Sequence, residues 1–362
     1  MAGAPLSGSL WILFLYDVCE EINLEVLRAI PGVEPRREPS LRHPSPEYVR
    51  FERPPVVERL APIVLDSGDR FRAEVNYYEY GVVSIKLELP FHADWPELTD
   101  LSSRWVAAPE LEAQAVKSIR QCVGRAQAAI VKLYENWLSE DYYIIHLHSS
   151  SESALTAAEL IGEHGSEIAR IVRGEQAELS QEEQDEILGS RLSYYPDDLL
   201  VVGWTAAFIH DTEKDAVPTI QLLEYANTQL LEFRYYDSVL SNLLQGVYRS
   251  LEKKAGFLAR WRLASQAQEL NRIRLDIREL TERVDTSIKF LSDMFSARLY
   301  RLAAAKVGVE DYRRLVEGKL HTAGDLYQFM MDQFHQSRAF VLEGLVVIIL
   351  IIELVFLFRG KG

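Results

Sequence analysis

Up to Pro218 the chain shows short apolar runs broken by turns; beyond it, apolar positions recur three and four apart. The run Leu10-Trp11-Ile12-Leu13-Phe14-Leu15-Tyr16 predicts a buried strand. Ile22, Val26, Leu27 and Ile30 share one face and predict a helix over 20–30. Polar–apolar alternation predicts half-buried strands at 70–75 and 80–89. Helices are predicted over 95–105, 110–138 and 154–173, with strands at 141–148 and 199–209.

All 14 prolines lie at or before Pro218. Proline breaks helices, so their absence from the rest of the chain predicts a change to all-helical structure. Leu223, Ala226, Leu230, Phe233, Leu240, Leu244 and Val247 form one heptad seam, with Asp237 as a polar intruder. Leu263, Leu270, Ile273, Ile277, Leu280, Val284, Leu291 and Met294 form a second, and Val316, Leu320, Ala323, Tyr327, Met330 and Phe334 a third. Breaks are expected near 254–256 and at Gly308. The expected fold class is therefore α+β. A mixed α/β head spans 1–217, with a proline-rich loop at 31–60. Long antiparallel coiled-coil helices span 218–337, and one transmembrane helix with a short tail spans 338–362.

That last expectation rests on the run AFVLEGLVVIILIIELVFLF at 339–358, about 30 Å long as a helix and long enough to span a bilayer. Arg338 precedes it, Arg359 follows it, and Glu343 and Glu353 interrupt it. With no signal peptide recognised, the pattern predicts a tail-anchored protein of the inner (cytoplasmic) membrane, its bulk facing the cytoplasm. An acid in such a helix is more comfortable in a helix bundle than in lipid, which adds self-association to the expectation.

Composition narrows the function classes. With 48% hydrophobic and 26% charged residues the chain is globular. A net charge of −15 argues against general nucleic-acid binding. Two cysteines exclude a disulfide scaffold, and Cys19 and Cys122 read as isolated buried thiols. Phosphate-loop, dinucleotide, zinc-protease and nucleophile-elbow motifs are absent. His146 and His148 share a strand face and could hold zinc with a third ligand such as His210 or Asp211; partly exposed structural histidines are the commoner meaning. Asp197-Asp198 reads as a turn, and the acidic stretch 174–190 as a solvated helix or loop. No cofactor is expected.

Three segments resemble the required-for-meiotic-nuclear-division family. They are Leu15-Tyr16-Asp17-Val18-Cys19-Glu20-Glu21-Ile22-Asn23-Leu24, then Tyr80-Gly81-Val82-Val83, then Leu342-Glu343 with Ile348 to Glu353. The resemblance implies a membrane-anchored, oligomeric scaffold. The function expected is thus a non-enzymatic membrane-tethered scaffold that oligomerises through its stalk and binds an unknown protein partner. Its seam is carried by Leu270, Ile277, Leu280, Val284, Leu320, Tyr327 and Phe334. The alternatives are a homo-oligomeric ion channel of CorA-like outline, or a membrane-bound enzyme with an unrecognised site.

Overall fold

The computed structural model describes residues 6–35, 54–106, 108–149, 155–252, 265, 267–275, 277–278 and 294–359. Within its helices, the side chains of 250–252, 333–342 and 357–358 lie outside the described residues. Two compact units result, one of 1–235 with 283–313 and one of 236–282 with 314–362.

The first unit is built on a ten-stranded sheet. Its strands are β1 (Leu6–Ile22), β2 (Val33–Pro35), β3 (Val56–Arg59), β4 (Ile63–Val64), β5 (Arg70–Tyr77), β6 (Val82–Ala93), β7 (Ile130–His148), β8 (Arg191–Leu192), β9 (Leu199–Val202) and β10 (Ala206–Asp211). The order is β2-β3-β5-β6-β1-β7-β10-β9-β8, with β4 beside β5. Among the described strands the one parallel pair is β7 with β10. Helices α2 (Trp95–Trp105), α3 (Pro109–Arg125), α4 (Ala157–Arg173) and α5 (Gln181–Gly189) cover one face. There Leu10, Ile12 and Phe14 of β1 join the core of Leu98, Ile119, Leu160 and Ile168. Successive strand residues point to opposite faces, so Leu13, Leu15 and Asp17 face the other way. That second face is covered by α6 (Ala216–Glu252), and every residue of 219–233 is buried.

Three local readings are corrected. The helix expected at 20–30 is reduced to α1 (Leu24–Leu27). β1 keeps its pairing to Ile22, opposite Ile130, and Asn23 then caps α1 by accepting from the Glu25 and Val26 backbone N–H groups. The helix expected over 110–138 stops at Arg125; a 3-10 turn at Gln127–Ala129 leads into β7. The strand expected at 199–209 is a hairpin, β9 and β10, turned at 203–205. Gly203 is needed there, because a Cβ would lie 2.5 Å from Val172 Cγ1. The helix expected at 95–105 forms as read, closed by a capping box between Asp94 and Glu97.

Gly308, at φ +92°, separates α7 (Met294–Val307) from α8 (Val309–Arg359), the break expected from its sequence. In the second unit, Leu244 of α6, Leu270 and Ala323 of α8 pack together, as do Val247, Ala267 and Met330. Leu270 is thus buried by helices of its own chain, and Ile277 is buried as well. Leu320 and Tyr327 are partly buried. Lys319 donates to the Asp237 carboxylate and to Ser241 Oγ, which accounts for the polar intruder in the first seam. Leu280 and Val284 lie outside the described residues, as do the side chains of Phe334 and Arg338. Asp in place of buried Ile277 puts a charge among apolar groups and is expected to cost about 3–5 kcal/mol. Hydrogen exchange should show faster opening of 236–249 and 314–332, with the sheet unchanged.

The expected transmembrane helix is also corrected. Among the described residues no helix is long and apolar enough to cross a membrane. The tail-anchored arrangement and the inner-membrane placement lose their support with it. Glu343, Glu353 and Arg359 are exposed.

Candidate functional site

Buried polar groups gather where α6 crosses the second sheet face. Glu224, Thr228 and Glu232 stand four residues apart on one side of α6, so the outer two are about 12 Å apart. Each meets a different part of the sheet. Asn76 Nδ2 of β5 donates to Glu224 Oε1 at 2.6 Å. The Tyr80 hydroxyl in the β5–β6 turn shares a hydrogen with Thr228 Oγ1 at 2.7 Å. Glu232 bears electrostatically on Asp17 of β1. Further along, Arg234 pairs with Glu140 of β7, and the Tyr235 ring stacks on Tyr134 at 4.9 Å.

Two backbone features build this corner. In the β1–β7 ladder Asp17 faces Leu138 but Cys19 faces Leu133. Residues 134–137 therefore bulge from β7 opposite Val18, and such bulges re-aim neighbouring side chains. The β5–β6 turn closes at Gly81, φ +93°, where a Cβ would lie 1.8 Å from the Cys19 carbonyl oxygen. Only glycine lets the turn lie this close to β1.

Asp17 is 1% exposed, and no hydrogen bond reaches its Oδ2 among the described residues. Burial, reinforced by the charge of Glu232, pushes its carboxyl up to about 9. Burial and the neighbouring acid thus both favour the protonated form of this carboxyl. Burial also raises Tyr80, Tyr134 and Tyr235, and lifts the Cys19 thiol to about 12 with help from Asp17. Asn76 Oδ1 and Ser84 Oγ, on the same sheet face, also lack a partner among the described residues. A buried acid pair of this kind can store a proton or hold a cation.

The histidines are divided. His146 and His148 share a face of β7, ring centroids 4.6 Å apart. His146 Nε2 lies 3.1 Å from the Asp211 carbonyl oxygen, and burial lowers its ring to about 4. His210 is paired with Leu147, so its side chain points to the opposite face. Among the described residues no three His, Cys, Asp or Glu gather to hold a metal ion. Cys19 and Cys122 are buried and free, as read. Asp198 accepts from the backbone N–H groups of Tyr194 and Tyr195, the turn expected there.

Residues 7–216 match the family model described as the N-terminal domain of uncharacterized protein MJ0711. The chain belongs to this family. The MJ0711 protein of Methanocaldococcus jannaschii is 24% identical over 195 residues, covering 54% of this chain and 60% of that relative. The chain thus aligns with less than two thirds of the relative's length. No solved structure matches. Membership of the MJ0711 family is what the comparisons show; they carry no sign of the required-for-meiotic-nuclear-division family. Asp17, Asn76, Tyr80 and Ser84 fall inside the MJ0711 domain, whereas Glu224 and Glu232 lie beyond it.

Sequence reasoning quoted the segments around Asp17 and Tyr80 but missed the acids of α6. The available signal was Glu224, Thr228 and Glu232 at intervals of four on one side of a heptad-patterned helix.

Proposed function

We propose that this chain is a non-enzymatic assembly protein, a folded sheet unit carried on helices that associate with further copies of the same chain. One observation supports the reading above others. From Leu345 to Phe356, the large apolar side chains of α8 are between 48% and 72% exposed. Consecutive helical residues face every direction, so no single neighbouring helix covers this run. Apolar surface on this scale marks an interaction site. Further copies bring helices of the same length and apolar girth, which pack by interlocking side chains.

Light scattering on the purified full chain, across a range of concentrations, tests this. A discrete oligomer is expected. Ile349→Asp with Ile351→Asp should return it to the mass of one chain while the circular dichroism of the sheet is kept. A wild-type monomer, or a continuous spread of sizes with no discrete species, overturns the proposal.

A further inference from the structure

We propose that Glu353 couples assembly to protons: copies of the chain associate through the 345–358 run as the Glu353 carboxyl takes up a proton, so the interface is strong in mild acid and weak in mild base. The inference rests on the assembly reading above and adds its control. From Leu345 to Phe358, Glu353 is the one titratable residue. Its neighbours one turn away on α8, Ile349, Leu350 and Phe356, are 48%, 57% and 72% exposed, and Glu353 is exposed with them. The carboxyl therefore stands within the surface that association must cover.

Among the described residues no other helix of the unit reaches this stretch. Val247 of α6 and Ala267 pack on Met330. The described part of α6 ends at Glu252, about 8 Å beyond Val247, whereas Glu353 lies about 35 Å beyond Met330. Apolar side chains surround α8 here, so an association that covers the run covers Glu353 as well. The charged groups it then meets are few. Arg359, on its own helix, is six residues on and about 120° round the axis, outside the spacing of three or four at which helical side chains pair. A second copy brings the same run, whose one titratable group is again Glu353. Copies running in the same direction bring the carboxylates to one level, where like charges repel. Copies running in opposite directions set each carboxylate among aliphatic side chains, where its charge loses water. Both arrangements favour the protonated form in the assembly. An antiparallel pairing slipped far enough to bring Arg359 of a second copy opposite Glu353 would overlap the two runs over 354–358 alone. Association thus takes up protons and strengthens as pH falls.

The test is sedimentation equilibrium of the full chain at pH 8 and pH 5.5 at equal ionic strength, with Glu353→Gln and Glu343→Gln beside the wild type. The wild-type dissociation constant should be smaller at pH 5.5 by about tenfold or more. Glu353→Gln should associate at pH 8 about as tightly as the wild type does at pH 5.5, and should lose most of the pH dependence. Glu343→Gln removes the same charge from outside the run and should keep the dependence, which controls for the relaxed repulsion of a chain of net charge −15. A wild-type constant that is the same at both pH values overturns the inference and leaves the assembly reading standing. So does a pH dependence that survives in Glu353→Gln, because other groups then carry it. A chain that stays single at both pH values in all three proteins overturns the assembly reading and the inference with it.

Discussion

Asp17→Asn is expected to be more stable than the wild type at pH 7, by about 2–4 kcal/mol. The sign follows from proton linkage. Asp17 titrates near 4 in an unfolded chain and near 9 in the folded one, because burial and then Glu232 oppose its charge. Below pH 4 both states hold the proton and nothing is lost. Between pH 4 and 9 the folded state binds more protons than the unfolded state, so stability falls as pH rises. Asparagine is uncharged throughout and removes this slope. The gain should therefore be nil near pH 3 and reach roughly 5–10 °C in midpoint near pH 8. Equal pH profiles for the two proteins would show that Asp17 does not carry the linkage. A less stable variant at pH 8 would show that the carboxyl is needed for packing rather than tolerated for function.

That a buried acid weakens its own fold is the physical ground for reading the seam as functional. Natural chains remove such groups readily when nothing depends on them, and strongly perturbed carboxylates concentrate at working sites. The same fact explains why the seam was hard to read in the sequence. Apolar periodicity locates a helix by its buried apolar residues. It therefore found Leu223, Leu230 and Phe233 and passed over Glu224 and Glu232, although all five are buried. Asp17 was legible as an acid following the strand Leu10–Tyr16. That β1 continues through it depends on pairing with β6 and β7, which no local pattern reports. The 110–138 segment failed for a related reason. Its first half has helix formers and its second half has Ile130, Val131, Tyr134 and Trp137, yet the switch is fixed by Ile130 meeting Ile22, more than a hundred residues away. Among the described residues the heptad segments are helical, but spacing alone does not say whose helix fills a seam. Leu270 and Ala323 meet within one chain.

Gly81→Ala should be the most damaging small substitution in the sheet unit, costing about 3–5 kcal/mol. Two penalties add. At φ +93° any L side chain is strained, which accounts for about 1–2 kcal/mol. The new methyl would also stand 1.8 Å from the Cys19 carbonyl oxygen, a backbone atom in a paired strand that cannot turn aside. Either the β5–β6 turn or β1 must move, and the Val18 N–H bond to the Gly81 carbonyl, 3.1 Å, is lost with it. Gly68 supplies the control. It has φ +90° with nothing within 4 Å of the added Cβ, so Gly68→Ala carries the strain alone and should cost about 1–2 kcal/mol. The difference between the two variants in denaturant unfolding isolates the close approach. It also bears on the acidic seam, because the turn that Gly81 closes is what brings Tyr80 to Thr228 beside Glu232. A Gly81→Ala protein that folds should therefore show a disturbed Tyr80 environment in near-ultraviolet circular dichroism. If it instead matches Gly68→Ala in stability, the turn does not press on β1, and the corner that holds Asp17 is looser than its geometry implies.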